Sequence, residues 1–393
     1  MRKIRSDIIH TGDRGFISNQ VIVVDDDGTI LDLLPDSEFN ISECEYYPGI
    51  LTPGFINAHC HLELSHLKGR FETGTNLIPF LRNVVSQRES EPDLILQNID
   101  DADKEMQVEG IVAVGDISNK TDTLGIKRAS KIHYHTFIEA FDFLQDDLAA
   151  QFFDGYKKVY DEYEDLPRTM VPHAPYSVSK SLFRLINQVN AGKEIVTSIH
   201  NQETIDEDLL FINKTGDFVA FWESFGFKLD SFDAIGKESV YYAMNQMQAD
   251  QNILFIHNTQ MKEAQIRDVI SWNPNSFFVT CANANLFIEN ALPDYKQFLN
   301  ADAKLCIGTD SLSSNWHLSI VEEIKIILKF NSYLSLQEVL TWATYNGAKA
   351  LKLDDRMGSI EKNKRPGINW IQAVSHSNDQ WLLRKDAKVK RII

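Results

Sequence analysis

Two histidines one residue apart, His59 and His61, close the short apolar stretch Leu51-Thr52-Pro53-Gly54-Phe55-Ile56-Asn57-Ala58. In an extended strand side chains alternate, so the two imidazoles face one side and Cys60 faces the other. Two imidazoles on one side of a strand end can share a metal ion. His200 and Asp310 end similar apolar runs and complete a ligand set of His59, His61, His200 and Asp310. Three imidazoles and a carboxylate suit one divalent cation, zinc first, with iron or manganese as alternatives. Such a cation lowers the pKa of a water to about 7 and makes hydroxide available for hydrolysis. Asp310 is expected to take the released proton, and His257, ending another apolar run, to hydrogen-bond the hydroxide. Glu203, three residues beyond His200, has the reach to pass a proton to a ring nitrogen and then to a departing amine. Taken alone, Glu203 reads equally well as a solvated loop residue with Glu207 as its acidic neighbour. Cys60 reads as a small buried filler.

Side chains so far apart in sequence need a frame that brings them together. Eight apolar segments supply one: Gly54 to His59, Ile111 to Asp116, Ile132 to Glu139, Thr169 to His173, Ile195 to His200, Ile253 to His257, Phe277 to Cys281, and Leu305 to Asp310. Helical patterns lie between them. Leu77, Phe80, Leu81, Val84 and Val85 recur at helical spacing, as do Ile320, Ile324, Ile327 and Leu328. Ser335-Leu336-Gln337-Glu338 has the spacing of a capping box ahead of a helix from Val339 to Leu351. Strands alternating with helices imply a parallel sheet. The strand ends carry His59, His61, Asp116, Glu139, His173, His200, His257, Cys281 and Asp310. One buried polar terminus is a hydrogen-bonded rim residue. Eight in a row point to a parallel barrel, whose C-terminal ends meet on one face and hold the active site.

Val21 to Val24, the turn Asp25-Asp26-Asp27-Gly28 and Ile30 to Leu34 read as a hairpin. Asn369 to Val374 reads as a strand near the other end. Phe218, Phe221, Trp222 and Phe225 follow helical spacing, which predicts an amphipathic helix packed on the barrel rather than a stacking platform. Trp316, His317 and Arg82 are further pocket candidates, His66 belongs to the pocket or to a loop, and His10, His133, His135 and His376 read as structural or surface residues.

The 393 residues suit one barrel and a minor domain, and 43% apolar content allows a core of ordinary size. Against 39 basic residues stand 56 acidic ones, a net charge of -17, which argues against nucleic-acid binding. Four cysteines, none in a C-x-x-C pair, do not form a disulfide framework. No apolar h-region and no run of the roughly 18 apolar residues of a membrane helix are seen. The expected setting is the cytoplasm, with a small-molecule substrate, no membrane partner, and a homo-oligomer compatible with the sequence.

Taken together, Thr52-Pro53-Gly54-Phe55-Ile56-Asn57-Ala58-His59-Cys60-His61, His173-Ala174-Pro175-Tyr176-Ser177, His200-Asn201-Gln202-Glu203, Phe255-Ile256-His257, Gly308-Thr309-Asp310-Ser311 and Asn346-Gly347-Ala348-Lys349-Ala350-Leu351 resemble the amidohydrolase superfamily. The resemblance is to the branch of adenosylhomocysteine/methylthioadenosine, guanine and aminodeoxyfutalosine deaminases and chlorohydrolases. Two stretches depart from its pattern: Cys281-Ala282-Asn283-Ala284-Asn285, where a proline and a serine are replaced, and Arg365-Pro366-Gly367, where Ala-Asp is usual. The resemblance implies a (β/α)8 TIM-like barrel over residues 51–350 and a small β-sandwich built from 1–50 and 351–393. It implies a mononuclear site, because His173 stands where binuclear relatives carry a bridging lysine or glutamate. It assigns His173 to substrate binding, and Glu203 to a deaminase rather than a dechlorinating enzyme. The expected activity is hydrolytic deamination of an aminated heterocycle, purine or nucleoside-like. The alternatives are halide removal or amide cleavage at the same site, and a non-catalytic scaffold.

Overall fold

The computed structural model describes residues 1–378 and 380–393. Eight parallel strands form two sheets of four. The first holds β6 (Phe55–Cys60), β7 (Ile111–Ser118), β8 (His133–Ala140) and β9 (Arg168–Pro172) in that order. The second holds β10 (Val196–Asn201), β11 (Asn252–His257), β12 (Ser276–Thr280) and β13 (Leu305–Ile307). The two sheets touch at both pairs of edges. At one seam the His200 N–H donates to the His173 carbonyl at 2.8 Å. At the other, Thr309 and Asp310 N–H groups donate to the His59 carbonyl at 3.0 and 3.1 Å, and Cys60 and Asp310 form an isolated parallel bridge. The arrangement is TIM-like, and each expected strand is present within a few residues of its expected bounds.

Alternation along these strands separates two apolar layers. Ile56, Leu254, Ile256, Phe277, Val279 and Cys306 belong to one cluster, whereas Phe55, Ile253, Phe255, Phe278, Leu305 and Ile307 belong to another that also takes in the helices. The helix Ile320–Phe330 shows why: Ile320, Ile324 and Ile327 are buried while Lys329 is exposed. Ser335 and Glu338 form the expected capping box, but the helix it starts runs only from Leu336 to Thr341. A π-turn over Trp342–Asn346 then intervenes before Gly347–Ala350.

The chain ends meet in one seven-stranded sheet. Its strands are β1 (Arg2–His10), β2 (Phe16–Ile17), β3 (Gln20–Val24), β4 (Ile30–Pro35), β5 (Glu45–Pro53), β14 (Ile368–Ser377) and β15 (Gln380–Arg391). The expected hairpin is β3 paired antiparallel with β4. β5 pairs parallel with β1 and antiparallel with β14, then runs through Gly54 directly into β6. This sheet therefore anchors the strand that carries the first two histidines. Among the described residues no helix is long and apolar enough to cross a membrane.

Candidate active site

The C-terminal strand ends converge as the alternation argument requires, with one local adjustment. Between Asn57 and Cys60, β6 gains one residue on β7. Such a bulge re-aims side chains, and here it lets His59 and His61 share one side while Cys60 joins the outer core. The Nε2 atom of His61 lies 3.1 Å from Nε2 of His59 and 3.3 Å from Nε2 of His200. Oδ1 of Asp310 lies 3.5 Å from Nε2 of both His59 and His61. Gly308 is required for this approach, because a Cβ there would stand 2.9 Å from the His59 Cβ and 3.0 Å from the Cys281 Sγ.

These four donors fit a divalent cation. Ligands about 2.0–2.1 Å from a tetrahedral centre stand about 3.3–3.4 Å apart, close to the four separations just given. His200 donates its Nδ1–H to the His173 carbonyl at 2.9 Å, so Nε2 is the atom it turns to the other rings. Burial depresses the pKa of His59 to about 4 and of His61 to about 3, which leaves both rings neutral. Burial acts the same way on His200, but the hydrogen bond and charge of Glu139 outweigh it and raise that ring to about 9. Burial also opposes ionisation of Asp310, yet the neighbouring histidines prevail and hold it below the usual carboxylate range. Three ring nitrogens and one negative charge are thus aimed at a common point, where a cation would take the place of the proton on His200 Nε2.

Around the donors stand the groups that could handle protons. Glu203 is buried and pushed well above the usual carboxylate range by desolvation. Its Oε1 lies 3.7 Å from Nε2 of His257. His257 is oriented by donating Nδ1–H to Asn285 Oδ1 at 2.7 Å, and burial depresses its pKa to about 4. Asp310 Oδ2 accepts the Ser314 hydroxyl. His173 donates Nδ1–H to Ser177 Oγ at 2.6 Å, which leaves its Nε2 for a ligand. Backbone strain gathers at this rim: Gln202, His257, Asn258 and Asp310 have φ of 43, 69, 58 and 56°. Non-glycine residues hold such values where the surroundings over-determine them, often at functional sites.

A cavity of about 350 Å³ opens above the donors. Its floor includes His61, His173, His200, Glu203, His257 and Asp310. Its throat is apolar, formed by Leu77, Phe80, Leu81 and Val84 of the helix Leu77–Gln87 together with Phe221, Trp222 and Phe225. The aromatic helix, Asp217–Ser224, therefore does more than pack on the barrel. Phe218 does pack, stacking on Tyr176 with centroids 4.2 Å apart, but its neighbours face the cavity. Arg82 sits over the Phe221 ring rather than in the cavity, and Trp316, half exposed, leans on Phe287. His317 is exposed, and His66 bonds the Arg88 carbonyl, so neither lines the cavity.

Composition of the second layer escaped sequence reasoning, although its positions did not. Glu139 and Asp116 stand at strand ends. Glu139 Oε1 lies 3.3 Å behind His200 Nδ1. Asp116 accepts the Leu62 N–H at 2.8 Å and pairs with Lys127 at 2.6 Å, both side chains fully buried. Asn285 lies in a stretch whose departure from the family pattern drew attention elsewhere in it. Arg88, bonded to Glu63 and to Asn119, carried no signal at all.

The chain matches the model of the Amidohydrolase family over residues 50–389. It is similar to an adenosine deaminase of Helicobacter pylori, 29% identical over 332 residues that cover 81% of this chain and 78% of the relative. Among solved structures, the aminofutalosine deaminase of Helicobacter pylori in complex with methylthio-coformycin superposes with a TM-score of 0.77 at 24% identity, covering 94% of this chain and 91% of that one. The atrazine chlorohydrolase of Arthrobacter aurescens TC1 complexed with zinc does so with a TM-score of 0.74 at 16% identity, covering 94% and 86%. At these identities the structural likeness speaks to the fold.

Proposed function

Because the chain belongs to the amidohydrolase family, we propose that it is a zinc-dependent hydrolase that releases ammonia from an aminated heterocycle, a purine or purine nucleoside. The observation that carries this reading is that Nε2 of His59, Nε2 of His200 and Oδ1 of Asp310 all lie 3.1–3.5 Å from Nε2 of His61, beside a buried glutamate. We assign His59, His61, His200 and Asp310 as ligands of one cation. When bound, that cation supplies Lewis acidity that makes hydroxide available from water near neutral pH.

The chain's own groups do the rest. Asp310, a carboxylate at rest, accepts a proton from the attacking water. Glu203, proton-bearing through desolvation, donates to the ring nitrogen next to the carbon under attack, takes up the proton of the added hydroxyl as the carbonyl forms and passes it to the leaving amine, and the proton held by Asp310 restores it once ammonia has left. His257, held by Asn285, hydrogen-bonds the incoming oxygen. His173 turns its free Nε2 to the ring. An amine leaves only when protonated, whereas chloride needs no proton, so a buried acid suits C–N cleavage better than dechlorination. Among the cavity-lining residues Arg88 is the one Arg or Lys, and Glu63 already neutralises it. The cavity therefore favours a base or nucleoside over a phosphorylated substrate.

We further read the two parallel sheets as one closed (β/α)8 barrel over residues 51–350 carrying a minor β domain from 1–50 and 351–393. The free cysteines Cys60, Cys281 and Cys306, all buried, agree with a reducing compartment such as the cytoplasm. The test is ammonia release by the zinc-loaded protein from a panel of aminated bases, nucleosides and chlorinated or amide analogues. Ammonia from the purine members supports the proposal. Chloride release or amide cleavage in its place overturns it.

A further inference from the structure

The loop that carries Glu203 is held from behind by a second buried acid. After β10 the chain turns through Gln202, whose φ is 43°, and enters the helix Ile205–Asn213 with Thr204 as its N-cap. Glu207, the third residue of that helix, sends both carboxylate oxygens backwards. Oε1 accepts the Gln202 N–H at 3.0 Å and Oε2 accepts the Glu203 N–H at 3.3 Å. Its neighbour Asp208 accepts the Gln202 side-chain amide at 2.8 Å and the Ser239 N–H at 3.0 Å.

This is not ordinary helix capping. In a capping box the acid at this helix position returns to the N–H of the N-cap residue. Here Glu207 passes over Thr204 and takes the two N–H groups before it. Capping also needs no burial, yet Glu207 is fully inaccessible to solvent. An acid desolvated in this way is costly unless its hydrogen bonds compensate. Burial, aided by the charge of Asp208, pushes its pKa to about 8. The cost is borne at the one loop that aims Glu203 at His257 and the ligand cluster.

We propose that Glu207 is a positioning residue for Glu203: it grips the two peptide units on either side of the Gln202 Cα, the second of which leads into Glu203, and so fixes where the proton-transferring carboxyl stands. The proposal rests on the reading of Glu203 given above. A misplacement of about 1 Å at a reacting group can lower turnover about 100-fold.

The experiment uses the zinc-loaded full chain and the substrate identified by the ammonia panel. Glu207→Gln keeps the volume but removes one acceptor, and is expected to lower kcat about 10- to 100-fold with KM and zinc content unchanged. Glu207→Asp, which keeps the carboxyl group on a shorter arm, recovers part of the loss and stands in if the Gln variant does not fold. In a Glu203→Gln background, Glu207→Gln is expected to add nothing, since it acts only through Glu203. Wild-type kcat in Glu207→Gln, or losses that multiply in the double variant, overturn the proposal. Should the wild type release no ammonia from any panel member, the functional reading fails by itself. Amide hydrogen exchange then decides the grip: faster exchange at Gln202 and Glu203 alone in Glu207→Gln supports it, and unchanged exchange overturns it.

Discussion

The floor and the throat of the cavity are built on different principles. The floor is made of strand ends and the turns just after them. Its side chains are largely buried, and His200, His257 and His173 are each hydrogen-bonded from behind. The throat is made of two helices, Leu77–Gln87 and Asp217–Ser224, whose side chains meet the cavity through apolar surface, with Trp222 alone tied by its indole N–H to the Tyr176 carbonyl at 3.0 Å. A rigid floor suits a bond-breaking step that tolerates little displacement. An apolar throat grades ligands by size and desolvation, which varies gently. Reaction type therefore belongs to the floor and substrate choice to the throat.

That division can be broken in several ways. The largest effects are expected at the floor. Glu203→Gln and Asp310→Asn should each lower kcat by about 10²- to 10⁴-fold. Metal analysis should find zinc retained in the Glu203 variant, which separates proton transfer from ligation. Next comes charge. A nucleoside monophosphate should have a kcat/KM about 100-fold below its parent nucleoside, because its phosphate meets Glu139 and Glu89 with Arg88 already engaged. Equal rates would place the phosphate outside the cavity and shift specificity away from this wall. Smaller still, Trp222→Ala should raise KM about tenfold and leave kcat within about threefold, since it removes apolar contact and no reacting group. A kcat loss as large as that of the Glu203 variant would erase the distinction between floor and throat. The smallest effect is expected at Trp316→Ala, whose side chain rests on Phe287 outside the cavity; steady-state constants should stay within about twofold.

The same contrast governs what can be read from sequence. Floor residues were legible because a buried apolar strand has no packing use for a polar terminus, so His59, His61, His173, His200, His257 and Asp310 stood out against their runs. Glu203 was legible only by its distance from His200. The throat was not legible. Phe218, Phe221, Trp222 and Phe225 have the spacing of any packed amphipathic helix, and periodicity cannot say which part of an apolar face meets a cavity. Trp316 and Arg82, chosen for residue type alone, fell outside. Strand existence was read well, whereas element ends were not. The last barrel strand stops at Ile307 because Asp310 turns away with a φ of 56°, and the helix after Ser335 is interrupted by a π-turn at Trp342–Asn346. Both departures come from tertiary demands that local propensity does not encode.

The two seams between the four-stranded sheets have one more consequence. His59 and His61 belong to one half of the strand set, and His200 and Asp310 to the other. Neither half holds enough donors to grip an ion tightly alone. With the ligand set proposed above, tight loading would wait until chain segments some 250 residues apart have docked, and the ion would then fasten the halves like a rivet. On that reading affinity for the cation is a gauge of assembly, and a polypeptide caught half-folded would surrender its ion to any competing chelator.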